Sequence, residues 1–229
     1  ITTRLVGSEM CIRDRDIFLV SKVWISNYGY EKAKASIDES LRKLQTDYID
    51  LMLLHQPFCD RYGAYWALEE AYKAGKLRAI GVSNFYPDHF IDIASNMEIV
   101  PAVNQVETHV FDQQIEPQRI MEEFGTHIMS WGPFAEGRNS LFTNAHLAAI
   151  GAKYGKSVAQ VALRWLIQRG VIIIPKSTHI ERMQQNLTIF DFSLSDEDMA
   201  TIATLDTGKS LFFDHHDAET TRMFMEWRR

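Results

Sequence analysis

Residues 62–96 read YGAYWALEEAYKAGKLRAIGVSNFYPDHFIDIASN. Apolar residues at three-and-four spacing predict a helix over 62–75, and Gly75 closes it because glycine accepts the left-handed conformation of a helix C-terminus. RAIGV (78–82) is then a short apolar run that predicts a strand, ending at the polar pair Ser83 and Asn84. A second helix over 87–96 opens on Pro87, whose missing N–H would be unpaired in a first helical turn anyway. Helix, apolar strand, polar strand end and helix make one repeat of a parallel α/β fold, whose strands are buried on both faces.

The same repeat recurs on either side. Strands are expected at IFLV (17–20), IDLMLL (49–54), PAVNQ (101–105), HIMS (127–130) and VIII (171–174), with helices over 30–44, 113–124, 142–155 and 158–169. Gly170 stops the last of these as Gly75 stops the first-quoted one. Ser157 and Gln160 form a capping box, and Ser195 caps a further helix over 196–204, with Asp198 in place of the usual Glu or Gln. Strand starts recur every roughly 20 to 45 residues, the spacing of βα units and not of hairpins. The pattern is that of an α/β barrel. A doubly wound sheet is the structural competitor, but no G-x-G-x-x-G follows any strand.

With 229 residues and 46% hydrophobic content, the chain is of a size to bury one core. A formal net charge of -6 argues against nucleic acid or an anionic membrane as partner. Cys11 and Cys59 form no metal or disulfide framework and are expected to be free thiols in a reducing cytoplasm. No apolar run approaches the roughly 20 residues of a membrane span. The opening ITTRLVGSEMCIRDR (1–15) has no clear period and is read as a non-native or disordered leader, with the domain expected over 16–229. The histidines show no ligand spacing, so no catalytic metal is expected, and DHHDAE (214–219) is read as a solvated C-terminal segment. Ser130 lacks the G-x-S-x-G elbow of a serine hydrolase.

In α/β barrels the working groups stand at the C-terminal ends of the strands. Here those places hold Lys22, His55, Ser83, Asn84, Gln105, Ser130, Trp131, Lys176 and Ser177. Each alone is an ordinary residue. Together they are expected to surround one ligand.

The motifs SKVW, LLHQP, IGVSNF, PAVNQVE, SWGPFAEG and IPKSTHIERMQQN occur in order across residues 16–205, and in this they resemble the aldo-keto reductases, most of all the bacterial members similar to 2,5-diketo-D-gluconate reductase. The resemblance implies an α/β fold, a (β/α)8 TIM barrel lacking roughly its first two βα units. It implies NADPH-dependent reduction of small aldehydes or ketones to alcohols, by a protein that is monomeric when full length. In that family hydride comes from the nicotinamide, and a Tyr acidified by a Lys–Asp pair supplies the proton. By resemblance Lys22 is that lysine, His55 the histidine that orients the carbonyl and donates to its oxygen, and Trp24 a pocket residue. The family's D-T-A…Y-G-N-E pattern has no counterpart here, so its Asp and Tyr are missing and the chain as written is expected to be nearly inactive. Gln56 stands where many relatives carry Trp.

The resemblance further implies that Ser83, Asn84 and Gln105 bind the nicotinamide carboxamide and that Trp131 stacks beneath the ring. Gly132, Pro133, Phe134, Glu136 and Gly137 would help to cover the pyrophosphate. Lys176, Ser177, Thr178 and Arg182 would hold the adenosine 2′-phosphate, a dianion that NAD lacks, with Gln185 and Asn186 at the adenine. The alternative is a catalytically inactive, truncated barrel that at most binds nucleotide. The edges at 17–20 and 171–174 would then lack neighbours, which predicts poor solubility.

Overall fold

A computed structural model of the chain describes residues 17–228; the expected leader over 1–15 lies outside them. Six strands follow one another in chain order, β1 (Val20–Val23), β2 (Leu51–Leu54), β3 (Ile80–Ser83), β4 (Val103–Glu107), β5 (His127–Trp131) and β6 (Ile172–Ile173). β1 pairs with β2, β2 with β3, and β5 with β6, all in parallel. The α/β reading of the sequence therefore holds.

The first four strands begin two or three residues later than the apolar runs suggested. Burial and ladder pairing are different things. Ile49 is fully buried, yet it makes only an isolated bridge to Leu77. The carboxylate of the next residue, Asp50, accepts from the Leu19 amide (2.9 Å) and from Arg78 (2.9 Å), and regular pairing starts only beyond it. As a result Lys22 lies inside β1 and does not follow it. Ser83 ends β3, Gln105 lies in the middle of β4, and Trp131 ends β5.

Nine α-helices accompany the strands among the described residues: α1 (Tyr30–Leu44), α2 (Arg61–Lys73), α3 (Pro87–Asn96), α4 (Ile115–Glu123), α5 (Ala145–Tyr154), α6 (Val158–Gln168), α7 (Ile180–Leu187), α8 (Asp196–Ala203) and α9 (Ala218–Trp227). α1 and α3 have the bounds expected from sequence. Gly75 and Gly170 both take φ 76°, as their role of helix stop requires. At α6 both halves of the Ser157–Gln160 capping box form.

At α8 only half of the expected box is present. The Ser195 hydroxyl accepts from the Asp198 amide (3.2 Å), but the Ser195 amide donates to the Tyr154 hydroxyl (3.1 Å). Asp198 is too short to reach back, and its carboxylate instead receives Lys153 and Tyr154, each at 2.6 Å. α7 and α9 were not anticipated. The reading of 214–219 as solvated fits Asp214 and residues 216–219, which are exposed, but not His215, which is 5% exposed.

The chain divides into two compact units. One holds the described parts of Ile1–Asn104 and His215–Arg229 with Phe124–Thr126, and the other holds Gln105–Glu123 and His127–Asp214. In the first unit Leu51, Met52, Leu53, Leu54, Ile80 and Val82 are buried, with Tyr65, Leu68 and Phe90. Gly81 is required there, since a Cβ would stand 2.3 Å from the Val103 carbonyl oxygen. In the second unit Ile128, Met129, Val161, Leu163, Trp165, Leu166 and Ile202 are buried. Burial of apolar area at this scale is the main driving force for each unit.

Candidate active site

The expected site residues fall into two groups, one in each unit. In the first unit Lys22, His55, Ser83 and Asn84 stand at the C-terminal halves or ends of β1, β2 and β3. The β1–β2 ladder sets Lys22 against Leu53 and Val23 against Leu54, and the His55 amide donates to the Val23 carbonyl (3.1 Å). Strand register thus fixes where His55 leaves the sheet. Asn84 takes a left-handed φ of 63°, a conformation its short polar side chain tolerates. Its amide nitrogen donates to the His55 carbonyl oxygen (3.1 Å) and to Ser83 Oγ (3.2 Å), so the residue expected to bind the carboxamide also holds the backbone of His55.

Burial lowers the pKa of Lys22, and among the described residues no acid pairs with it. The His55 imidazole is pushed down to about 4, first by burial and then by the Lys22 charge. It is therefore neutral near pH 7 and able to donate a hydrogen bond. Trp24 meets His55 edge-on with ring centroids 4.9 Å apart, and its indole N–H donates to the Trp227 carbonyl (3.4 Å).

Three aromatic side chains of the same unit extend this wall. His215 stacks on Phe224 (5.5 Å between centroids) and on Phe58 (5.9 Å). Its Nε2 meets Gln56 Oε1 at 2.8 Å. Gln56 is thus tied to the C-terminal segment, a contact between residues 159 apart that no local pattern could announce. The Tyr28 hydroxyl donates to the Gln56 carbonyl (2.7 Å) and accepts from the Gln56 amide (3.1 Å), and burial pushes its phenol far up. Tyr30 is held by Glu70. Neither phenol is placed to act as an acid.

In the second unit a cavity of about 540 Å³ is lined by Phe134, Glu136, Gly137, Lys176, Ser177, Thr178, Arg182, Gln185 and Asn186 among others. All nine are residues that the sequence singled out. Lys176 and Arg182 make no ion pair among the described residues, and with Glu136 as the one acid lining it the cavity carries an excess of positive charge. Ser157, at the N-cap of α6, also lines it. Its capping box was legible, but not that the helix opens on the same space as Lys176. A helix N-terminus, two cations and hydroxyls suit a phosphate group.

Gln105, Trp131, Gly132 and Pro133 do not line this cavity. Gln105 is buried and donates to the Met129 sulfur (3.3 Å), while Trp131 meets Phe212 with centroids 5.1 Å apart. Gly132 takes φ 64°, which favours glycine. Among the described residues no helix is long and apolar enough to cross a membrane, and no three His, Cys, Asp or Glu residues gather as metal ligands.

Parallel strands with polar residues at their C-terminal ends, and a cationic cavity beside a helix start, are features of a nucleotide-dependent α/β enzyme. The chain belongs to the aldo/keto reductase family, whose profile matches residues 10–207. It is 45% identical over 198 residues to the glyoxal reductase of Bacillus subtilis, covering 86% of this chain and 71% of that protein. Among solved structures, an aldo-keto reductase from a Medee basin deep-sea metagenome library superposes with a TM-score of 0.88 at 37% identity, over 92% of this chain and 79% of that one. A silkworm aldo-keto reductase solved in complex with NADPH gives a TM-score of 0.84 at 31% identity, over 95% and 71% of the two chains. The protein is thus an oxidoreductase of a family that uses a nicotinamide cofactor.

Proposed function

We propose that the chain belongs to an enzyme that reduces small aldehydes or ketones with NADPH. The observation that carries this reading is the cavity that holds Lys176 and Arg182, neither in an ion pair among the described residues, beside Ser177 and Thr178. A site that gathers two free cations and two hydroxyls gains most from a phosphate dianion, which distinguishes NADPH from NADH. Gln185 and Asn186 would meet the adenine, and Gly132, Pro133, Phe134, Glu136 and Gly137 the pyrophosphate. Ser83, Asn84 and Gln105 would hold the carboxamide, with Trp131 as the platform for the ring. NADPH, when bound, supplies the hydride.

His55 would then direct a neutral N–H at the carbonyl oxygen, and Lys22 would add positive potential where negative charge develops. Trp24 would bound the substrate. The similarity to a protein named glyoxal reductase favours small dicarbonyls among the candidates.

The second reading is a catalytically inactive chain that at most binds nucleotide. It is favoured by the absence, among the described residues, of an acid beside Lys22, and by the engagement of the Tyr28 and Tyr30 hydroxyls elsewhere. Calorimetric titration with NADPH and NADH, alongside reduction of a 2-oxoaldehyde, separates the two. Lys176→Ala and Arg182→Ala are each expected to weaken NADPH binding about tenfold and to leave NADH binding little changed. NADPH binding without turnover supports the second reading, and no NADPH binding overturns the first.

A further inference from the structure

Glu107, the last residue of β4, is 5% exposed and has no cationic partner among the described residues. Its Oε1 meets His109 Nε2 (2.9 Å) and accepts from the Leu211 amide (2.8 Å), and its Oε2 accepts from the Ser210 hydroxyl (2.5 Å). The histidine is neutral in this arrangement. Its Nδ1 accepts from the Phe111 and Asp112 amides (3.2 and 3.1 Å), so the ring proton lies on Nε2 and is donated to Glu107.

Ser210 in turn uses its whole hydrogen-bonding capacity. Its single proton goes to Glu107, and its oxygen accepts from the Phe212 amide (3.0 Å) and the Phe213 amide (2.9 Å). The turn at 210–213 is closed by this one hydroxyl. It places the Phe212 ring against Trp131, with centroids 5.1 Å apart at 68°, while the Arg138 guanidinium lies 4.0 Å from the centre of the same ring. Arg138 also donates to the Leu211 carbonyl. The Phe212 ring is also the group nearest to the position a Cβ would take on Gly132, at 3.8 Å.

Burying a carboxylate without a counter-charge is costly, and here it is offset by three donated hydrogen bonds, which the NH2 end of an uncharged amide could not accept in full. We propose that Glu107 is a positioning residue: through Ser210 and the Leu211 amide it fixes the 210–213 turn, so that Phe212 sets the tilt of Trp131. The proposal rests on the reading that Trp131 supports the nicotinamide ring. The carboxylate, tied by three hydrogen bonds of nearly fixed direction, defines the turn more tightly than apolar packing would.

The test is calorimetric binding of two ligands to the whole chain: NADPH, and adenosine 2′,5′-bisphosphate, which has the phosphate end but no nicotinamide. Glu107→Gln, Ser210→Ala and Phe212→Leu are each expected to weaken NADPH about tenfold while the bisphosphate changes by less than about twofold. A merely structural role would move both ligands together. If wild-type protein binds NADPH and none of the variants changes the ratio of the two affinities, the positioning role is wrong while the functional reading stands. If wild-type protein binds the bisphosphate but gains nothing from the nicotinamide half, both fall. Should Glu107→Gln lose both ligands through misfolding, Ser210→Ala and Phe212→Leu, which retain the carboxylate, decide the matter.

Discussion

At the scale of single residues, His55 couples the site to pH. Its imidazole titrates at about 4 in the folded chain against an ordinary value of 6.5, because burial and the Lys22 charge both disfavour the imidazolium. The unfolded chain takes up this proton as pH falls through 6.5, and the folded chain does so only near 4, so between these values the unfolded state binds more protons and stability is lost as pH is lowered. His55→Gln is expected to flatten that part of the profile, measured as urea midpoints between pH 4 and pH 7. An unchanged slope would show that the imidazole is not held neutral. Asp112 carries the opposite sign: burial, then the Glu107 charge, raise its carboxyl to about 6, so its share of stability is present at low pH and lost as pH rises through that value. The position of His55 at a strand end was legible from the apolar run before it. Its low pKa was not, because that depends on burial in the folded unit and then on Lys22, which β1 brings alongside through pairing between residues more than 30 apart in sequence.

At the scale of elements, each strand is defined by its neighbours as much as by its own residues. β3 can approach the chain at Val103 only because residue 81 has no side chain: a Cβ would lie 2.3 Å from the Val103 carbonyl oxygen and 2.8 Å from a Leu53 methyl. Gly81→Ala is expected to lower the unfolding free energy by about 3 kcal/mol, the upper range for overpacking in a well-filled interior, or to prevent folding. Urea unfolding at constant m-value is the measurement, and a loss below about 0.5 kcal/mol would mean that the strand shifts to make room. Helices were more legible than strands for a related reason. Their hydrogen bonds are local, so the Ser157–Gln160 box and the glycine stops announce them, whereas a strand's limits depend on partners such as Asp50 and Leu19. Gln160 shows the boundary between the two cases. Its carboxamide oxygen completes the capping box as expected, while its nitrogen donates to the Gln185 and Thr188 carbonyls at the end of α7, a helix the pattern did not reveal.

At the scale of the whole molecule, β1 and β6 stand at the two ends of the strand order among the described residues. Each unit leaves apolar side chains exposed there: Phe18 (66%) and Val20 (39%) beside or in β1, and Ile172 (38%) and Ile174 (48%) in or beside β6. Strand edges with exposed apolar groups invite pairing with other chains. The double variant Phe18→Lys, Ile174→Lys is expected to raise the protein concentration at which light scattering first detects association. If the threshold does not move, these edges do not drive it.

The sequence by itself determined the βα repeat, the bounds of α1 and α3, the capping box of α6 and the residues that belong at strand ends, because each depends on periodicity or on groups within four residues of one another. It also carried enough ordered motifs to place the chain in its family. Only the tertiary structure decided that Asn84 holds the backbone of His55, that Ser157 shares a cavity with Lys176 and Arg182, and that the Glu107 carboxylate secures a turn more than 100 residues away. The physical reason is common to all three. An apolar period reports which face of an element is buried, but a hydrogen bond or a shared cavity between distant segments depends on strand register and helix packing, which leave no local trace in either partner.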